Sequence, residues 1–126
     1  MEAAALIGAG LLGVVMVFQF ALAAGAPWGA AAWGGQYPGV LPTNLRASSL
    51  GAGLVVYPLL VVTVLRAGGV LEWGWPNPGP LTMWMLAGFL GLGAVANLIS
   101  RSKVERLWGP VALGAAICCA VLAAGS

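Results

Sequence analysis

The chain has 126 residues, of which 61% are hydrophobic and only 6% are charged. Soluble globular proteins carry about 25% charged residues, so five basic and three acidic side chains cannot cover a water-soluble surface. Lipid must therefore surround most of this chain. The net charge of +2 is too small to indicate binding to nucleic acid.

The first apolar run covers residues 3–24 and is interrupted only by Gln19. A helix needs about 20 apolar residues to cross a bilayer, so this run predicts the first transmembrane helix. Residues 21–23, Ala-Leu-Ala, also resemble the cleavage site of a secretory signal peptide. The only charge before the run is Glu2, whereas a signal peptide carries basic residues there. We therefore expect the segment to be retained.

The segment that follows, residues 25–45, contains three prolines and several glycines, which favour turns over a continuous helix. Its rings, Trp28, Trp33 and Tyr37, are typical of a membrane–water boundary. We expect an irregular loop here, with a short interfacial helix near Trp28 to Trp33.

Three further apolar runs complete the chain. They predict spans at residues 47–66, 81–99 and 107–124, separated by a Gly/Pro-rich loop and a short basic turn. Pro58 near the middle of the second span predicts a kink, because proline removes a backbone hydrogen bond. The expected fold is all-α: a polytopic membrane protein that forms a four-transmembrane-helix bundle in a single domain.

Basic residues are distributed unevenly between the loops. Arg46, Arg101, Lys103 and Arg106 belong to the first and third loops, and only Arg66 lies on the other side. The positive-inside rule then predicts that the first and third loops are cytoplasmic and that both termini lie outside. Anionic lipid head groups are the expected partners of the cytoplasmic basic residues.

Small residues recur at helical spacing in three of the spans. Helices in lipid associate through close approach at such residues, so the stripes predict packing within the bundle or in a homo-oligomer. They are Ala5, Ala9 and Gly13 in the first span, Gly88, Gly91 and Gly93 in the third, and Ala112, Ala116, Ala120 and Ala124 in the fourth. Cys118 and Cys119 are expected to be small buried helix residues, because adjacent cysteines form only strained disulfides.

Polar residues near the predicted cytoplasmic boundary form the candidate site. They are Gln19, Arg46, Asn97, Ser100, Arg101, Glu105 and Arg106. Gln19 and Asn97 lie inside spans and should face protein or water, bonding to each other or to a backbone carbonyl. Arg101 and Glu105, four residues apart, would face each other on a helix. The favoured interpretation of the basic residues is that they anchor helix ends at the head groups, and a ligand or partner site is the alternative.

The residue types present restrict the chemistry. The chain has no histidine and no aspartate, and no nucleophile–base pair is visible, so we predict no catalytic, cofactor-binding or metal site. We expect a non-enzymatic assembly or partner-binding subunit. The alternative is an oligomeric channel or facilitator for a small solute or ion. Lipid head-group chemistry with Glu105 as base is less favoured, because a lone carboxylate beside three cations stays ionised and weakly basic.

Two segments also carry a resemblance. GAPWGAAAWGGQYPGVLPTNLR at residues 25–46 and NLISRSKVERLWGPV at residues 97–111 resemble a group of small, uncharacterised bacterial four-span membrane proteins. The resemblance lies in a G-x-P-W-G loop paired with an N-x-x-S-R-S-x-x-E-R turn. It implies the four-span fold and a bacterial inner (plasma) membrane, and it implies no activity.

Overall fold

The computed structural model describes residues 1–32, 36–72, 75–100 and 102–125. Four helical spans are long and apolar enough to cross a membrane: Glu2–Ala23, Thr43–Ala67, Pro80–Leu98 and Glu105–Ala124. The predicted all-α fold with four spans is therefore confirmed. Among the residues discussed above, Trp33 and Arg101 lie outside the described part of the chain.

The first span is one uninterrupted helix, α1 (Glu2–Ala23). The chain reverses directly after it at Gly25, whose φ of +99° is readily accessible only to glycine. The loop that follows contains a short 3₁₀ helix, Gly29–Ala31, next to Trp28, where the aromatic pattern predicts a short helix. This loop is folded back and does not extend away from the bundle, because the Gly29 N–H donates to the Gly39 carbonyl at 2.7 Å.

The second span consists of α2 (Thr43–Gly51), a π-helical turn (Ala52–Val56) and α3 (Tyr57–Ala67). Pro58 lies in the first turn of α3, where its missing N–H and its ring disturb the turn that precedes it. A π turn is a usual way for a helix to absorb such a defect. The helix also begins at Thr43, before the predicted start at residue 47.

The third span is α4 (Pro80–Leu98), which begins with a proline as many helices do. The fourth span starts with a 3₁₀ turn (Glu105–Leu107) that runs directly into α5 (Trp108–Ala124). The first and second spans form one hairpin and the third and fourth form the other. The contact between α1 and α5 joins the two hairpins, while α4 packs mainly against α5.

Two apolar clusters hold this arrangement together. The larger one joins all four spans and includes Leu12, Val64, Met83 and Leu122. The smaller one lies at the end where loops one and three meet, and it contains Phe18, Leu22, Ala31 and Leu41. Because Ala31 and Leu41 belong to loop one, that loop covers the end of the bundle.

The cysteines are buried, as expected, and both thiols are free.

The small-residue stripes differ in their burial. Ala5 and Ala116 are buried in the core, whereas a Cβ added at Gly88, Gly91 or Gly93 would meet nothing within 4 Å. Close contacts with other helices occur instead at glycines outside these stripes, such as Gly8 against Cys118.

Candidate functional site

A cavity of about 660 Å³ lies between the two hairpins and is lined by residues of all four spans. Its volume is typical of pockets that hold small molecules, about 300–1,000 Å³. Most of the lining is aliphatic, and four aromatic side chains add to it. They are Phe18 of α1, Tyr57 of α3, Phe89 of α4 and Trp108 of α5.

Two of these rings are packed against each other. The centroids of Phe18 and Trp108 are 4.6 Å apart, with their planes inclined at 48°. Edge-inclined pairs at this distance are stabilising because the positive rim of one ring meets the negative face of the other. This pair fixes one wall of the cavity, close to the end covered by loop one.

Four polar side chains line the same cavity: Gln19, Ser48, Asn97 and Glu105. Two of them use backbone carbonyls one turn back in their own helices. Asn97 Nδ2 donates to the Gly93 oxygen at 2.9 Å, and Ser48 Oγ donates to the Asn44 oxygen at 3.1 Å. The predicted bonding of Asn97 to a backbone carbonyl is confirmed, and it is an intrahelical bond.

The Glu105 side chain is buried, with 8% of its surface exposed. The turn before it is fixed by serines. Ser102 Oγ accepts the Glu105 N–H at 3.3 Å and donates to the Ala30 carbonyl of loop one. The Ser102 N–H in turn donates to Ser100 Oγ at 3.2 Å. These bonds attach loop three to loop one. Glu105, the first residue of the fourth span, points towards the bundle.

The Glu105 carboxylate is incompletely satisfied. Its Oε2 atom is buried without a hydrogen-bond partner within the described part of the chain. Ser49 Oγ and Arg66 Nε share that condition, but neither residue lines the cavity. A buried carboxylate oxygen without a partner is costly. Among the described residues that line the cavity, Glu105 is the one with such a buried, unpartnered side-chain atom.

The nearby basic side chains are bonded elsewhere. Arg46 Nε donates to the Ala23 carbonyl at the end of α1, at 3.2 Å. Arg106 is exposed, and its Nε donates to the Ser100 carbonyl at 2.7 Å. These guanidinium groups therefore hold the loop backbone, and the structure assigns neither of them to Glu105.

The six candidate residues that the structure describes separate into two groups. Gln19, Asn97 and Glu105 meet at the cavity, whereas Arg46, Ser100 and Arg106 stabilise the turns at the same end of the bundle. Arg101 lies outside the described residues, and so does its predicted pairing with Glu105.

Sequence reasoning missed Tyr57 as a lining residue. A phenol in the middle of an apolar span, directly before Pro58, was the available signal, because a polar group at that depth needs a polar or protein-facing environment. Ser48 gives only a weak signal in the sequence, since a helical hydroxyl can bond its own backbone.

No protein family, curated protein or solved structure compared with this chain matches it. The resemblance to small bacterial four-span membrane proteins therefore stays a prediction.

The Arg46 bond to Ala23 predicts a measurable effect on stability. Arg46→Met removes the donor that connects the start of the second span to the end of the first, and we expect a loss of about 1–2 kcal/mol. The measurement is the thermal denaturation midpoint of the protein in lipid nanodiscs. Lys103→Met removes an exposed positive charge from loop three and is the control. An equal effect of both substitutions would assign the loss to net charge alone.

Proposed function

We propose that this chain is a non-enzymatic subunit of a membrane assembly, and that a second copy of the chain binds to the outer face of its third span. The proposal includes a bacterial plasma membrane with loops one and three in the cytoplasm, where basic side chains contact anionic lipid. The observation that carries it is the packing of α4. This helix packs mainly against α5, and its opposite face is exposed within the described part of the chain.

The exposed face of α4 is continuous along its length. Its members recur at helical spacing and are all exposed: Leu81, Trp84, Met85, Gly88, Leu92, Val95 and the adjoining Ile99. Gly88 lies at the centre, with Trp84 and Leu92 one turn to either side. Side chains flank a position that has none, so the face has a notch at the middle of the span.

A notch of this kind favours contact with another helix over contact with lipid alone. Helices in a bilayer gain little from hydrophobicity, and they associate where a small residue lets two backbones approach. A Cβ added at Gly88 would meet nothing within 4 Å, so no contact within the described residues requires a glycine there. Two copies related by a two-fold axis would each place Gly88 against the other.

Disulfide crosslinking in native membranes tests the contact. In a chain carrying Cys118→Ala and Cys119→Ala, we expect Leu92→Cys to form a covalent dimer on mild oxidation. Val55→Cys on the second span is the matched control, because both positions lie within spans and are similarly exposed, 73% for Leu92 and 64% for Val55. Monomer only for both variants, or equal dimer for both, would contradict the proposed face.

A second variant separates assembly from folding. Gly88→Leu fills the notch, and because the site is open within the chain, the monomer should keep its thermal midpoint. We expect the dimer fraction in mild detergent or nanodiscs to fall at least about tenfold, as the loss of one close helix contact implies. Retention of the wild-type dimer fraction in Gly88→Leu would overturn the proposal.

A further inference from the structure

We propose that the cavity between the hairpins binds an amphiphilic amine, with Glu105 facing the ammonium group and the aromatic lining surrounding the apolar tail. The ligand class is a primary ammonium attached to an alkyl chain. This inference concerns the side of α4 that carries Gly93 and Asn97. Leu92 borders both the cavity and the outer face, and the inference does not depend on self-association through the outer face.

The charge of the ligand follows from Glu105. One oxygen of this carboxylate is buried and unpartnered in the described part of the chain, and the guanidinium groups of Arg46 and Arg106 bond to backbone carbonyls instead. A buried carboxylate is retained at low cost only when a cation or a donor reaches it. An ammonium group supplies both the opposite charge and up to three N–H donors.

The apolar part of the ligand follows from the remaining lining. Tyr57, Phe89 and Trp108 belong to three different helices and surround a cavity that is otherwise mainly aliphatic. Aromatic faces attract an ammonium group and also pack against alkyl chains. A bare divalent cation is a poor fit, because such ions need about six oxygen ligands and Glu105 is the one carboxylate lining this cavity.

Two sources could supply this chemistry. One is a soluble alkylamine that enters from the water or the bilayer. The other is the ethanolamine head group of a membrane lipid, which also joins a primary ammonium to apolar chains. The cavity reaches from Glu105 at the loop end to Leu11 and Leu60 further along the spans, so either molecule can place its charge at one end and its tail along the other.

The test uses the full-length protein in nanodiscs of phosphatidylglycerol, a lipid with no ammonium group. Octylammonium is titrated, and binding is measured as a rise in the thermal midpoint, since a ligand that binds the folded state stabilises it. Octanol is the neutral control and octanoate the anionic control. We expect a saturable rise with octylammonium and none with the two controls.

Variants locate the site. Glu105→Gln keeps the size of the side chain and removes its charge, and we expect octylammonium affinity to fall about tenfold or more. Glu72→Gln, which alters an exposed carboxylate in loop two, is the matched control and should bind as wild type. Should Glu105→Gln prove unstable, Gly93→Leu gives an independent answer. Gly93 lines the cavity and has space for a side chain, so a leucine there should block binding.

Gly88→Leu distinguishes this proposal from the preceding one. It is predicted to lower the dimer fraction as above and to bind octylammonium normally, whereas Gly93→Leu is predicted to lose octylammonium binding. Adding phosphatidylethanolamine to the nanodiscs then identifies the source. Competition with octylammonium assigns the site to a lipid head group, and its absence assigns it to a soluble amine. Equal binding of octanol, or wild-type affinity in both Glu105→Gln and Gly93→Leu, would overturn the proposal.

Discussion

Gly8→Leu is expected to destabilise the bundle by about 3 kcal/mol or more, as overpacking of a rigid core does at its upper end. At Gly8 the first span meets both the second and the fourth. A Cβ added there would lie 3.0 Å from Cys118 Cβ and 3.3 Å from Val64 Cγ1. Cys118 and Val64 are themselves buried, so neither can move aside, and the rest of a leucine side chain would force the helices apart.

The measurement is the thermal midpoint in nanodiscs, with the fraction of protein that stays soluble after heating as a second readout. Gly10→Leu is the control on the same helix, because a Cβ at Gly10 would meet nothing within 4 Å. The control should remain close to wild type. If both leucines lowered the midpoint equally, the effect would come from inserting a large residue into α1 and not from the junction at Gly8.

The four spans could be predicted because each is marked by a continuous run of apolar residues along the sequence. A run of about 20 apolar residues has few alternatives to crossing the bilayer, and each of the four runs corresponds to a long apolar helix in the structure. The predicted start of the second helix, residue 47, is too late because the prediction begins the span after the charged residue Arg46. The structure gives Arg46 a partner at the Ala23 carbonyl, so a charged residue lies within the helix near its first turn.

The faces of the helices were harder to predict. An amphipathic helix marks its buried face by the spacing of polar residues, but these spans are apolar on all sides and carry no such mark. Gly8 and Gly88 are alike in sequence context, each within an apolar run. The structure buries the first against Cys118 and leaves the second open. That difference depends on how the hairpins are rotated, which small-residue spacing alone does not determine.

The candidate site was predicted in part for a similar reason. Gln19 and Asn97 were identifiable because amides inside a span are costly unless they face protein or water. Glu105 was placed in a boundary turn, and its burial depends on the bond from Ser102 to Ala30, which are 72 residues apart in the chain. The fold of loop one over the end of the bundle supplies that bond, so no local pattern around Glu105 could reveal the site.

That dependence on loop one leads to the second large effect, at Gly29. We expect Gly29→Ala to cost about 1–3 kcal/mol, the usual range for overpacking. An added Cβ would overlap the Tyr37 carbonyl oxygen and lie 2.7 Å from the Gly39 carbonyl oxygen. Both are backbone atoms and cannot rotate away. The bond from the Gly29 N–H to Gly39 closes the loop, so the loop must open to admit even a methyl group.

Opening loop one has consequences beyond stability. Leu41, a residue of loop one that is buried against the bundle, would become accessible. Ser102 would lose its bond to the Ala30 carbonyl, which anchors loop three. We therefore expect Gly29→Ala to lower the thermal midpoint and to make loop one susceptible to limited proteolysis in nanodiscs. Gly79→Ala is the control in loop two, since a Cβ at that glycine would meet nothing within 4 Å. A protease-resistant loop one in Gly29→Ala would mean that loop one tolerates the methyl group without opening, and that the burial of Glu105 depends on other contacts.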